Sequence, residues 1–393
     1  MIRVGFALED GGGWLGGINY FRNLLFAIRS LPDTRIQPVV FVGMKSNAQA
    51  FEGLAEIVRS PLLDRRSPHW WLRRFLERTF PRRDYLLYRL LKRHRIDVLS
   101  HLGELWRGCP IKSIGWIPDF QHVHLPHFYS DHEVAARDRA FSRLLDRSDA
   151  ILLSSEDALN DLRRFRPGNT TPTYVLRFSS CLVQQVPEAQ TREDIERRYG
   201  LDRPWFHLPN QFWKHKNHEV VIKALQLLKQ QGMAPLVVAT GSTDDYRNPG
   251  FFGDLQTKIG EHGVAENLRI LGMLPYPEVV ALMRYSVAVI NPSLFEGWST
   301  TVEEAKAMGK KIMLSDIPVH REQSPDRGMY FRADRADELA NQMKQCLDEY
   351  DAELEERTTL QYLQEVEGRK REFARSYEGI LLRVYDQSES PPA

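Results

Sequence analysis

Short, mostly apolar runs alternate along the chain with longer stretches in which apolar residues recur every three or four positions. Runs of four to eight such residues predict strands buried on both faces, and the longer period predicts amphipathic helices. Residues 2–8 (IRVGFAL) open the series as a strand, and 19–31 follow as a helix. Residues 36–43, 97–102, 113–118 and 150–155 read as further strands. The pattern is a βαβ rhythm, hence an α/β fold with a parallel sheet covered by helices. It pauses over 179–194, a polar stretch containing Pro187, and a domain boundary is expected there. It then resumes with strands at 204–210, 234–242, 267–274, 287–293 and 311–316. Helices are expected at 218–232, at 276–286 and from about Thr300. Two doubly wound units are therefore predicted, 1–183 and 184–375, facing each other across a cleft. Open α/β sheets bind ligands at the carboxyl ends of their strands, so the site is expected there. Helical patterns continue from Ala336 to Asp386, and 387–393 (QSESPPA) reads as a disordered tail.

Composition changes this picture little. A chain of 393 residues, 42% hydrophobic, suits two or three soluble domains. The formal net charge of +1 gives no global nucleic-acid signature. Cys109, Cys181 and Cys346 are widely spaced and odd in number, which fits a reducing cytosol rather than a disulfide framework. The N-terminus reads directly into a strand, without the basic start and apolar core of a signal peptide. No apolar run reaches the roughly 18 residues of a membrane span, so any membrane contact is expected to be peripheral.

The candidate chemistry concentrates at 291–310, NPSLFEGWSTTVEEAKAMGK. Asn291, Pro292 and Ser293 end an apolar strand, Gly297 frees the backbone for a turn, and a helix starts near Ser299 or Thr300. Thr300 and Glu303 are spaced as a capping box, which accounts for Glu303 without a ligand. Glu304 lies in the first turn, where the helix dipole tolerates an acid. Glu296 stands before the turn at the end of a strand, where capping gives no account of it. A carboxylate there can accept hydrogen bonds from sugar hydroxyls, and an acid in the same turn can grip a ribose. The backbone N–H groups of Ser299 to Val302 would form an anion site suited to a diphosphate. Together these features describe a nucleotide-sugar site.

The stretch EGWSTTVEEAKAMG resembles the E-x7-E signature of retaining glycosyltransferases of the GT-B fold, the family-4 or "group 1" type, and 267–322 follows that pattern nearly end to end. The resemblance implies two Rossmann-like domains, with Glu296 on the donor sugar, Glu304 on the ribose, and Gly297, Trp298, Ser299 and Thr300 around the donor. It also implies that 376–386 crosses back to the N-terminal domain. In PNQFWKHKNHEVVIKAL (209–225), a loop opening a helix, the family places an Arg and a Lys on the diphosphate. Lys216 matches the Lys, whereas Gln211 stands where the Arg would be; Lys214 or His215 is a candidate for the missing charge. A solvated basic turn is the plainer reading of this loop.

Residues 11–25 (GGGWLGGINYFRNLL) predict a glycine-rich turn without the G-x-G-x-x-G dinucleotide pattern. Gly16 and Gly17 would admit a phosphate or sugar to the backbone; a tight structural turn is the alternative. Residues 115–133 carry His122, His124, His127 and His132. A zinc site needs partners this loop lacks. The resemblance to bacterial polysaccharide glycosyltransferases, with their Trp-x-Pro-Asp-Phe-Gln-His segment, implies a catalytic role for His122, with Asp119 nearby. Ser154, Ser155 and Glu156 end a strand and read as helix capping or as a Ser-Glu pair facing the cleft. No Asp-x-Asp occurs, which disfavours a metal-dependent glycosyltransferase. Neither metal nor cofactor is expected.

Residues 65–95 hold eleven Lys/Arg and two acids, interleaved with Trp70, Trp71, Phe75, Phe80 and Tyr85. The pattern suits either packed helices with a basic outer face or an amphipathic element on an anionic membrane. The expectation as a whole is a metal-independent, retaining glycosyltransferase of cell-surface polysaccharide synthesis, cytoplasmic or peripheral on the inner face of the membrane. It would move a hexosyl or deoxyhexosyl group from a nucleoside diphosphate sugar to a glycan or lipid-linked glycan, with no nucleic-acid partner. The rival expectations are a nucleotide-sugar epimerase of the same twin-domain plan and a non-catalytic nucleotide-sugar or glycan-binding protein.

Overall fold

A computed structural model of the chain describes residues 1–8, 15–79, 83–185, 190–245 and 247–386. The expected tail at 387–393, Phe80, Pro81, Pro187 and the first glycines of 11–14 lie outside the described residues. The chain divides into two compact units. The first comprises Met1–Val123, Ser130–Ser179 and the chain from Gly368 on; the second comprises His124–Tyr129 and Ser180–Glu367.

The first unit is built on a parallel sheet of β1 (Ile2–Ala7), β2 (Ile36–Val42), β3 (Glu56–Arg59), β4 (Val98–His101), β5 (Lys112–Ile117), β6 (Ala150–Leu153) and β7 (Thr173–Val175). The strand order is β3-β2-β1-β4-β5-β6-β7. Val4, Phe6, Val39, Val40, Val98, Ile151 and Leu152 are fully buried at its centre, as both-face burial in a parallel sheet requires. The second unit carries β8 (Trp205–Leu208), β9 (Leu236–Thr240), β10 (Leu268–Gly272), β11 (Val289–Asn291), β12 (Ile312–Ser315) and β13 (Gly328–Phe331). Its order is β10-β9-β8-β11-β12-β13, with every pair parallel. In each sheet the order reverses direction at the middle strands. That reversal places a switch point at β1/β4 in the first unit and at β8/β11 in the second.

Three strands were not predicted. β3 (EIVR), β7 (TYV) and β13 (GMYF) are short edge strands, only partly buried, so they lack the apolar run that marks the central ones. The end of the chain also differs from expectation. Ala352–Asp386 is one continuous helix, so a division at 375/376 would cut a helix; it passes between the units at Glu367/Gly368. Gly368 does not interrupt it, because one interior glycine costs a helix only about 1 kcal/mol. Inside the first unit Tyr377 is fully buried and donates to Ser100 Oγ at 2.8 Å. Glu378 accepts from the backbone N–H of Arg35 at 2.6 Å, and Lys370 lies 4.6 Å from the Phe26 ring centre.

Candidate functional site

In the second unit the polypeptide leaves β11 at Asn291 and re-enters a helix at Thr300, with Ser299 as N-cap. The intervening turn is held from several sides. Asn291 Nδ2 donates to Ser299 Oγ at 2.7 Å, and Leu294 N donates to the His215 carbonyl at 2.8 Å. Asn217, in the left-handed region at φ 54°, donates through Nδ2 to the carbonyls of Pro292 (3.1 Å) and Ala333 (2.8 Å). The basic loop after β8 is thereby fixed against the strand end, and it brings two predicted residues together. Lys216 Nζ lies 2.6 Å from Glu296 Oε1, with the side chains 15% and 11% exposed. Ser293 Oγ lies 2.7 Å from the same oxygen and 2.8 Å from Asn291 Oδ1; its single proton serves one of them at a time. Burial alone would raise the Glu296 pKa, but the charge of Lys216 and hydrogen bonds from Lys216 and Ser293 hold it below the ordinary carboxylate value.

The other acids separate. Glu303 does not complete a capping box with Thr300: the N-cap is Ser299, whose side chain makes no capping bond. The capping comes instead from Gln323. Its Oε1 accepts from Ser299 N at 3.1 Å, and its Nε2 donates to Ser299 O at 3.0 Å and to Glu303 Oε1 at 2.9 Å. The Ser299 N–H, expected to be free for an anion, is therefore taken; the next N–H groups of the first turn have no intrahelical partner. Glu304 is 6% exposed, and burial pushes its pKa up to about 7 against a hydrogen bond from Tyr276.

The substitute for the absent Arg also resolves in part. Gln211 is half-buried, and its carbonyl accepts from Trp213 N at 2.8 Å. Gly241 lies against the backbone of this loop: a Cβ there would be 2.5 Å from the Asn210 carbonyl oxygen and 2.8 Å from Gln211 Cα, at φ +142°. His215 cannot supply the missing charge, since burial first and then Lys216 lower its pKa to about 3. Lys214 Nζ is 5.2 Å from the Phe128 ring centre. A cation the sequence did not flag, Arg247, lies 5.0 Å from the Trp213 ring centre and pairs with Asp245 at 3.3 Å. Gly297 and Trp298 are half-buried in the turn.

In the first unit Gly16 and Gly17 fall in the first turn of the helix Leu15–Ser30 rather than in a loop. His122 is buried, and its Nε2 lies 3.0 Å from Asp138 Oδ1; burial first lowers its pKa, against the Asp138 bond. The acid bonded to it is Asp138; Asp119 acts on it only through its charge, and Asp119 Oδ1 accepts from Gln121 N at 2.9 Å at the start of the short helix Gln121–His124. Ser155 caps the helix Glu156–Phe165 by accepting from Ala158 N at 3.0 Å. Among the described residues no three His, Cys, Asp or Glu side chains are grouped to hold a metal ion.

Residues 192–361 match the family model for glycosyl transferases group 1, within the second unit. A stretch of 106 residues is 28% identical to the D-inositol 3-phosphate glycosyltransferase of Jonesia denitrificans, covering 26% of this chain and 24% of that protein. The chain thus matches about a quarter of that relative's length. Among solved structures, Anabaena HepE in complex with UDP and glucose superposes with a TM-score of 0.69 at 12% identity, over 98% of this chain and 100% of that one. WaaG, a glycosyltransferase involved in lipopolysaccharide biosynthesis, superposes with 0.66 at 13% identity, over 96% and 99%. The fold is GT-B, with two Rossmann-like domains.

Proposed function

We propose that the chain is a retaining glycosyltransferase that moves a sugar from a nucleoside diphosphate sugar to a glycan or lipid-linked glycan, without a metal, in cell-surface polysaccharide synthesis. One observation carries this reading: Lys216 and Glu296 meet at 2.6 Å at the end of β11, directly before a helix N-terminus. The donor diphosphate would draw Lys216 from Glu296 and lie toward the first-turn N–H groups, whose dipole favours negative charge. Glu296, released, would accept hydroxyls of the transferred sugar, and Glu304 would hold the ribose. Lys216 and the helix end would then stabilise the charge that grows on the departing diphosphate. The match to glycosyl transferases group 1 and the UDP and glucose bound by the structurally similar HepE support this reading. His122 and Asp119 would serve the acceptor side, with Asp138 orienting the His122 ring.

Nucleotide-sugars are to be screened by thermal shift, since a bound donor raises Tm by linkage, and turnover is then followed with glycan acceptors. Release of nucleoside diphosphate with a new glycoside is the expected result. An isomerised donor would identify an epimerase, and binding without turnover a non-catalytic binder. Glu296→Ala and Lys216→Ala should each slow transfer at least roughly tenfold, about 1.4 kcal/mol in the barrier. Near-normal rates in both folded variants would remove these residues from the site.

One surface of the first unit supports a membrane as the place of action. On the helix Pro68–Thr79, Trp71, Leu72 and Phe75 are 58%, 51% and 64% exposed, with Arg65 and Arg66 exposed just before it. Trp70 is half-buried under Arg74, and Arg73 turns inward to Asp84 at 2.6 Å, so neither belongs to the outer face. No helix among the described residues is long and apolar enough to cross a membrane. Exposed aromatics beside arginines suit insertion into an anionic lipid surface. In flotation assays the protein should rise with acidic liposomes and not with neutral ones. Replacing Trp71, Leu72 and Phe75 by Ser should abolish that; flotation that persists would refute it.

A further inference from the structure

The first unit contains a cavity of about 740 Å³ lined by Arg83, Trp106, Arg107, Arg139, Arg143 and Arg147, with Asp138, Asp146 and Ser142 completing the wall. Its volume is that of a small-ligand site. The two acids are already engaged: Asp138 with His122 at 3.0 Å and Asp146 with Arg166 at 2.6 Å. Glu104, behind the wall, answers Arg143 at 2.7 Å and Arg147 at 3.1 Å. Arg83, Arg107 and Arg139 have no carboxylate partner among the described residues. Arg83 donates to Tyr85 Oη at 2.9 Å and lies 5.6 Å from the Trp106 ring centre, and Arg107 reaches only Thr171 Oγ1 at 3.5 Å. Three guanidinium groups without a carboxylate partner among the described residues line one concavity, and each offers a planar fork matched to a phosphate or carboxylate. Trp106 is half-buried, packed 5.3 Å from both Tyr85 and Tyr88, and gives the pocket one fixed aromatic wall. One such wall in a concavity of this volume suits a single sugar ring. A nucleic-acid strand would need an extended groove with successive aromatic platforms.

We propose that this pocket binds a saccharide bearing a phosphate or carboxylate, with the anion on Arg83, Arg107 and Arg139 and the ring against Trp106. Asp138 is both part of the pocket wall and the partner of His122, so the bound saccharide lies beside the side chain assigned to the acceptor. Its role as acceptor rests on the transferase reading; the binding of an anionic sugar does not.

The test uses the full chain and four probes, glucose, glucuronate, glucose 6-phosphate and inorganic phosphate, with affinities measured by ligand-observed NMR or calorimetry. Glucuronate or glucose 6-phosphate should bind at least tenfold more tightly than glucose, and the two arms tell a carboxylate from a phosphate preference. Arg107→Ala combined with Arg139→Ala, both exposed positions, should erase that preference. Arg357→Ala, on an exposed face of the second unit, should keep it. Equal affinity for glucose, inorganic phosphate binding as tightly as the sugar phosphate, or a double variant that binds unchanged would each overturn the proposal. A UDP-glucose thermal shift, run in parallel, should survive the double variant. If no nucleotide-sugar shifts the protein while the acidic sugars still bind, the transferase reading fails and the pocket stands.

Discussion

Two carboxylates eight positions apart sit in opposite electrostatic settings. Glu296 is held ionised by Lys216, whereas burial pushes Glu304 up to about 7. The second setting has a consequence for stability. In the unfolded chain Glu304 titrates near 4.5 and in the fold at about 7, so the folded state holds its proton more firmly. Its contribution is therefore fully present below about pH 4.5 and is lost as pH rises through about 7. Glu304→Gln removes this loss. Relative to the parent, the variant should gain Tm as pH is raised from 5 to 8, followed by circular dichroism; a parallel pH dependence in both proteins would sink the assignment. The sequence supplied the identity of both acids but not this contrast, because the partners of Glu296 stand 80 positions and 3 positions away in the chain and only one of them is local.

At the scale of elements, the central strands were legible and the joints were not. β8, β9, β11 and β12 are fully buried, and burial on both faces leaves an apolar run that any reading of the chain finds. The helix Thr300–Ala307 starts where expected, but its cap differs for the complementary reason: Thr300 and Glu303 have the local spacing of a cap, whereas Gln323, 24 residues beyond Ser299, does the capping. Contacts of that separation leave no mark in a local pattern. The loop after β8 behaves alike, since Asn217 is anchored by carbonyls 75 and 116 positions on. The Gln323 clamp makes a prediction. Gln323→Ala leaves the buried Ser299 N–H without its partner, a cost of about 1–3 kcal/mol for an unsatisfied buried group. Chemical denaturation should show that loss, together with weaker nucleotide-sugar binding, because the helix start moves with the clamp. Unchanged donor affinity in a destabilised protein would make the clamp structural only.

For the whole molecule, the deciding element is the helix Ala352–Asp386, which begins in the second unit and ends in the first. In its last part Ala374, Tyr377 and Leu381 are fully buried, and Val384 nearly so. Tyr377 lies 6.4 Å from the Phe6 ring centre and 5.7 Å from that of His101; its hydroxyl reaches Ser100 Oγ, which lies 2.8 Å from His101 Nδ1. His101 Nε2 in turn lies 2.7 Å from Tyr20 Oη, so the end of the chain closes a buried polar chain running from β4 to the first helix. Truncating a buried aromatic of this size costs about 3–5 kcal/mol through lost burial and the cavity left behind. Tyr377→Ala should therefore lower the stability of the first unit by that order and leave the second, whose core does not contain it, unchanged. Calorimetry of the full chain is expected to show one component moving to lower temperature and one staying in place. If both components move together, the units unfold as one cooperative block, and the helix transmits stability across its whole length. If neither moves, the packing of 368–386 on the first sheet does not contribute to its stability.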